Sequence, residues 1–154
     1  MLYFAYGSNM NREQMEKRCP SARFKGRALL RGHKLAFTRK SRTWKCGVAD
    51  AVREDSQNIW GVVYVISELD LGKLDSAEGY RPSRERNAYW RRECQVLVDG
   101  DPQRPLTVNI YFASPEPNPP LPNRQYMQRI LSGARYWQLP EEYVAELEAI
   151  EVNP

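Results

Sequence analysis

Apolar positions along this chain fall mostly into short β-like runs separated by polar turns, with helical spacing in a few places only. Tyr3 to Tyr6 reads as a short buried strand that runs straight into Gly-Ser-Asn. "NREQMEKRCP" then has a helical pattern, stopped by Pro20. Ser8, Asn9 and Asn11 are all competent N-caps, and Asn11 with Gln14 has capping-box spacing. Phe24 to Phe37 predicts two strands with a turn at Gly32. "SRTWKCGVADAV" and "NIWGVVYVI" predict a hairpin about a polar turn at Arg53 to Gln57, the second run being rich enough in β-branched and aromatic residues for a central strand.

Helical spacing returns in "SELDLGKLDSAEGY". Ser67 and Asp70 mark its start, Leu71, Leu74 and Ala77 lie on one face, and Gly79 is a C′ residue. A polar, arginine-rich loop spans Arg81 to Ala88, and strands follow at Tyr89 to Val98 and Leu106 to Phe112 around a "DGDP" turn. "ASPEPNPPLPN" predicts an extended proline-rich strap. Two short helices close the chain, one near Gln125 to Leu131 ended by Gly133, one near Glu141 to Ile150 with Pro140 at its start. Strands with inserted helices and no internal repeat imply an α+β domain with a mixed or mostly antiparallel curved sheet.

At 154 residues, the length suits one domain, residues 1–154. Apolar and charged fractions of 42% and 27% are ordinary for a soluble globular protein. No apolar run has membrane-spanning length, and Met1 to Met10 lacks a signal peptide's basic flank and apolar stretch, so no membrane partner is expected. Three cysteines (Cys19, Cys46, Cys94) without a CxxC fit a reducing, cytoplasmic compartment. With His33 the only histidine, a Cys/His metal site is not expected, and "RGHKLAF" reads as a loop entering a strand. The net charge of +4 admits nucleic acid, but the arginines are scattered among acids and aromatics and no RNA- or DNA-reading motif is present.

Three features carry chemistry. At Tyr6-Gly7-Ser8-Asn9 a strand gives way to glycine and a helix start, which leaves backbone N–H groups free for a carboxylate or phosphate. Ser8 lacks a local base and reads as a cap or hydrogen-bond donor. Glu78 ends a helix, where the macrodipole opposes negative charge; in an apolar pocket its pKa would rise and make it a general acid/base. Asp70 and Asp75 read as a cap and a surface group. Tyr89, Tyr111 and Tyr126 are aromatic positions whose hydroxyls can line a polar pocket.

Together, "YFAYGSNM", "WGVVY" followed by "LDLGKLDSAEGY", "TWKCGVA" and "YMQRILSGARYWQLPEEYVAELEAIEVNP" resemble the gamma-glutamylcyclotransferase family over nearly the whole chain. The C-terminal block is closer to gamma-glutamylcyclotransferases proper than to the gamma-glutamylamine branch. The glutathione-specific branch also carries Tyr-Gly-Ser, usually without the asparagine. The resemblance implies a small mixed, mostly antiparallel β-barrel flanked by helices, with a cavity at its mouth. It implies that Tyr6 to Asn9 hold a glutamyl group, that Glu78 is the general acid/base and that Tyr89, Tyr111 and Tyr126 line the pocket. It further implies no cofactor, no metal, a small gamma-glutamyl substrate cyclised to 5-oxoproline and, as in many members, a homodimer. The loop from Gly79 to Tyr89, with Arg81, Arg84 and Arg86, is longer than the family pattern. Release of γ-glutamyl amines or biosynthetic intermediates, and a non-catalytic small-molecule or RNA-binding role on the same scaffold, are the alternatives.

Overall fold

β1 is only four residues long, Leu2–Ala5, yet it closes the whole architecture. In the computed structural model, which describes residues 1–153, five strands form a closed barrel in the order β1-β3-β2-β4-β5. The others are β2 (Arg23–Lys40), β3 (Gly47–Val65), β4 (Tyr89–Val98) and β5 (Pro105–Ala113). Every neighbouring pair is antiparallel except β1 with β5, joined in parallel through Tyr3 and Asn109. The expected mixed, mostly antiparallel barrel is the fold observed. Phe4, Ile59, Val62, Val63, Val96, Val108 and Ile110, on both faces of the strands, are all essentially inaccessible. Each fully buried side chain of this kind contributes about 1.5–3 kcal/mol.

The two long strands differ from the sequence expectation. Gly32 does not reverse the chain, and neither does Arg53 to Gln57. β2 and β3 instead form one continuous antiparallel pair, turning at residues 41–46. Arg31 faces Asn58 while His33 faces Arg53, so residues 54–57 bulge out with no partner opposite Gly32, whose φ is +73°. Such a bulge bends a strand around a barrel and uses the polar, glycine-bearing residues that also make turns. His33 lies within β2, not in a loop.

The helices are α1 (Arg12–Arg18), α2 (Glu68–Ala77), α3 (Arg124–Tyr136) and α4 (Glu141–Glu148). The predicted caps form: Asn11 Oδ1 accepts from Gln14 N at 2.9 Å and Ser67 Oγ from Asp70 N at 3.1 Å. Asn123 caps α3 in the same way, accepting from Tyr126 N at 2.8 Å. Gly133 does not end α3. A side chain there would overlap the backbone of Met10, so the glycine lets α3 lie directly on the β1–α1 connection. Trp137 Nε1 fastens the same contact, donating to Met10 O at 3.0 Å. The proline strap is extended as expected and crosses the barrel mouth, with Glu116 N donating to Thr38 O and Gly47 N to Leu121 O.

Candidate active site

Beyond β1 the chain makes a single 3₁₀ turn, Ser8–Met10, before α1 begins. The N–H groups of Gly7, Ser8 and Asn9 donate to no other group among the described residues. Gly7 has a negative φ of −115° with ψ −140°, outside the regular helical and extended regions, and a side chain there would press on Ala49 Cβ at 3.2 Å. Its lack of a side chain therefore matters for close approach, not for a left-handed φ.

Asn9 is buried and every part of its side chain is used. Nδ2 donates to Tyr3 Oη at 3.0 Å and reaches Glu78 Oε1 at 3.4 Å. Oδ1 accepts from Gln14 Nε2 and Arg18 Nη1, both at 3.0 Å. Gln14 Nε2 also donates to Ser8 Oγ at 2.8 Å. The backbone of Asn9 is held from below, its carbonyl accepting from Tyr64 Oη at 3.0 Å. The first turn of the chain is thus locked by α1 on one side and the barrel on the other.

Glu78 is the C-cap of α2 and Gly79, at φ +68°, is its C′ residue, as the sequence indicates. The carboxylate points into the cavity beside Asn9, with Arg18 Nη1 at 3.7 Å. Burial pushes its pKa up, while Arg18 and the Asn9 amide oppose the rise. A carboxyl raised in this way is of the kind suited to acid/base work.

The cavity has a volume of about 630 Å³ and holds Glu78 together with Tyr6, Gly7, Ser8, Asn9, Tyr89, Tyr111 and Tyr126, the residues expected from sequence to serve acid/base work or substrate binding. The size lies in the range of small-molecule sites, roughly 300–1,000 Å³. The tyrosine hydroxyls are committed to the frame. Tyr6 donates to Tyr111 O at 2.6 Å and Tyr111 to Asp75 Oδ1 at 2.6 Å. Ala49 is gripped twice, its N–H donating to Tyr126 Oη at 2.9 Å and its carbonyl accepting from Tyr89 Oη at 2.6 Å. Burial raises all four phenols, so they stay neutral.

Asp70 takes its expected place in the cap of α2 but does more, and Asp75 departs from its surface reading. Asp70 is buried and accepts from Ser21 N at 2.8 Å, fixing the entry to β2. Asp75 is largely buried, between Tyr111 and Arg91, whose Nε lies 3.0 Å away. Sequence reasoning missed Arg18 on α1, and it missed the cavity-lining Arg39 and Lys40 at the end of β2 and Arg42 in the β2–β3 turn because that turn was placed elsewhere. Arg84 and Arg86 line the cavity, whereas Arg81 does not; its backbone pairs with the Asn87 side chain. No group of three or more His, Cys, Asp or Glu is placed to hold a metal among the described residues.

Residues 3–139 match the family model described as gamma-glutamyl cyclotransferase, AIG2-like. The chain is 35% identical to the human gamma-glutamylcyclotransferase over 99% of its own length and 79% of the relative's. It is 34% identical to the Bos taurus protein of that name, with the same coverage. A solved gamma-glutamyl cyclotransferase superposes with a TM-score of 0.89 at 34% identity, covering 99% of this chain and 89% of the other. A glutathione-specific gamma-glutamyl cyclotransferase from yeast shares the fold at a TM-score of 0.60 and 15% identity, over 96% and 93% of the two chains.

Proposed function

The chain belongs to the gamma-glutamyl cyclotransferase, AIG2-like family, and from that premise we propose that it converts γ-glutamyl compounds to 5-oxoproline, releasing the amine or amino acid attached to the γ-carbonyl. The observation that carries the reading is that one cavity is lined both by three residues with unpartnered N–H groups and by one largely buried carboxylate. The substrate's α-carboxylate is held by the N–H groups of Gly7, Ser8 and Asn9, where a bound anion supplies the missing acceptors. Glu78 takes a proton from the α-ammonium. The freed amine attacks the γ-carbonyl carbon and closes a five-membered ring; the carbon–nitrogen bond to the leaving group breaks as Glu78 passes its proton to the departing nitrogen, and the ring nitrogen gives up its second proton through Glu78 to that same nitrogen, which leaves as an ammonium group. Atoms balance without water or any added reagent.

Nucleophile and electrophile belong to one molecule, so the protein's main task is to fold the substrate into attack geometry. Such orientation is worth about 7–11 kcal/mol, and acid/base help adds a factor of roughly 10²–10⁴. Because Asn9 links the loop to Glu78, the carboxylate anchor and the proton carrier are held at a fixed spacing. The three free thiols support a reducing, cytoplasmic setting.

The test uses the substrate's own amine. An N-acetylated γ-glutamyl compound keeps the α-carboxylate but lacks the nucleophile, and is expected to bind weakly and never be cleaved. In ¹⁸O-water the native substrate should give 5-oxoproline free of label. Labelled glutamate formed from the intact substrate would show hydrolysis and overturn cyclisation.

A further inference from the structure

We propose that the cavity contains a second, cationic subsite for the leaving group, selecting γ-glutamyl compounds whose leaving amino acid bears two carboxylates, such as γ-glutamyl-glutamate. The inference rests on the reading of the Gly7–Asn9 end as the glutamyl site. Away from that end the lining carries Arg39, Lys40, Arg42, Arg84 and Arg86, against one further carboxylate, Glu116. None of the five cations has a carboxylate within 4.0 Å among the described residues. Glu116 instead accepts from the backbone N–H of Lys40 at 2.8 Å.

These cations come from two segments tied to one residue. Ser114 O accepts from Arg39 Nη1 at 3.1 Å, on the side of the β2–β3 turn. Its N–H donates to Ala88 O and its hydroxyl to Asn87 O, on the side of the 79–88 loop. The two basic segments are therefore anchored together at the rim. Arg84 spends one contact on Gly79 O at 3.4 Å, and both Arg39 and Arg84 keep further N–H donors in the forked arrangement that fits a carboxylate.

The α-carboxylate of a neutral leaving amino acid neutralises one cation and leaves most of the rim's repulsion in place. A second carboxylate pairs a second guanidinium and relieves more of it. A cationic amine is repelled. The arginine-rich 79–88 loop supplies two of the five charges.

The experiment compares γ-glutamyl-glutamate with its near-isostere γ-glutamyl-glutamine. In the unmodified enzyme at low ionic strength, kcat/KM for 5-oxoproline release should favour the glutamate peptide by about tenfold, the size of one charge-assisted hydrogen bond. The preference should shrink as salt rises from about 20 to about 300 mM. The double variants Arg39→Gln with Arg42→Gln, and Arg84→Gln with Arg86→Gln, should each lower the ratio, chiefly through KM. A ratio near one in the unmodified enzyme, or equal losses for both peptides in both variants, would overturn the subsite. Calorimetric titration of Glu78→Gln with the two peptides separates this from the cyclisation reading. Tighter binding of the glutamate peptide without 5-oxoproline from either in the unmodified enzyme would sustain the subsite and remove the activity. Equal binding would remove the subsite whatever the turnover.

Discussion

The amide nitrogen of Asn9 stands 3.4 Å from Oε1 of Glu78, so the turn proposed to hold the substrate carboxylate also touches the proposed proton carrier. The same asparagine accepts from Arg18, which lies 3.7 Å from Glu78. Both neighbours pull the Glu78 pKa down against its burial, Arg18 the more strongly. Removing either should raise that pKa further. In Asn9→Ala and Arg18→Gln the acid limb of kcat/KM should move to higher pH, further in Arg18→Gln. A limb unmoved in both would dissociate Glu78 from the titration.

Glu78→Gln should abolish turnover by at least ~10²-fold, since an amide exchanges no proton. Stability should move the other way. The native state holds the Glu78 proton more tightly than the unfolded chain does. This group's contribution is therefore most favourable below the unfolded pKa and is lost as pH rises through the folded one. The Gln variant should melt above the parent at pH 7–8, with the gain vanishing below about pH 4. Thermal melts across pH measure it, and a lower Tm at neutral pH would contradict a desolvated carboxylate.

Gly7→Ala and Ser8→Ala should differ in kind. The φ of Gly7 accepts an alanine, but its methyl would crowd Ala49 and face the Tyr126 hydroxyl at 3.6 Å, on the cavity wall. We expect a folded protein with a strongly raised KM. Ser8→Ala removes one acceptor from Gln14 and should cost about 1 kcal/mol or less in stability, with a smaller effect on KM. A serine variant worse than the glycine variant would reverse the assignment.

Tyr126→Phe deprives the Ala49 N–H of its acceptor in a buried setting. About 1–3 kcal/mol of stability should be lost. Chemical denaturation should register this loss, with kcat falling less than in Glu78→Gln. A kcat loss equal to that of Glu78→Gln would make the phenol a participant in the reaction.

Much of this site was legible because its signals are local. Asn11 with Gln14, Ser67 with Asp70, and Glu78 before Gly79 each encode a helix end within four residues, and the helix ends place the turn and the carboxylate. What escaped depends on distant partners. Residues 54–57 look like a turn because a bulge needs the same polar residues, and only the register of β2 against β3 separates the two. Gly133 looks like a terminator because its packing partner, Met10, lies more than a hundred residues away. The rim cations were half seen: Arg84 and Arg86 share a conspicuous loop, whereas Arg39, Lys40 and Arg42 reach the cavity only because the true turn is at residues 41–46.

The barrel's seam lies at its shortest strand. β1 meets β5 through the single pair Tyr3 and Asn109, reinforced by Asn109 Nδ2 donating to Leu2 O at 3.0 Å. The turn that follows β1 is the one proposed to grip the substrate. Joining β1 to β5 brings together residues more than a hundred positions apart, the kind of contact that forms late when a chain folds. Transient parting of the same seam would free one edge of β1 while its four pairs with β3, and the β2–β3 and β4–β5 ladders, stay intact. An occupant bridging Gly7–Asn9 and Glu78 would tie the turn after β1 to the end of α2 and so act as a latch on the barrel's thinnest seam. Slower amide exchange along β1 with a bound γ-glutamyl ligand would be the signature of that latch.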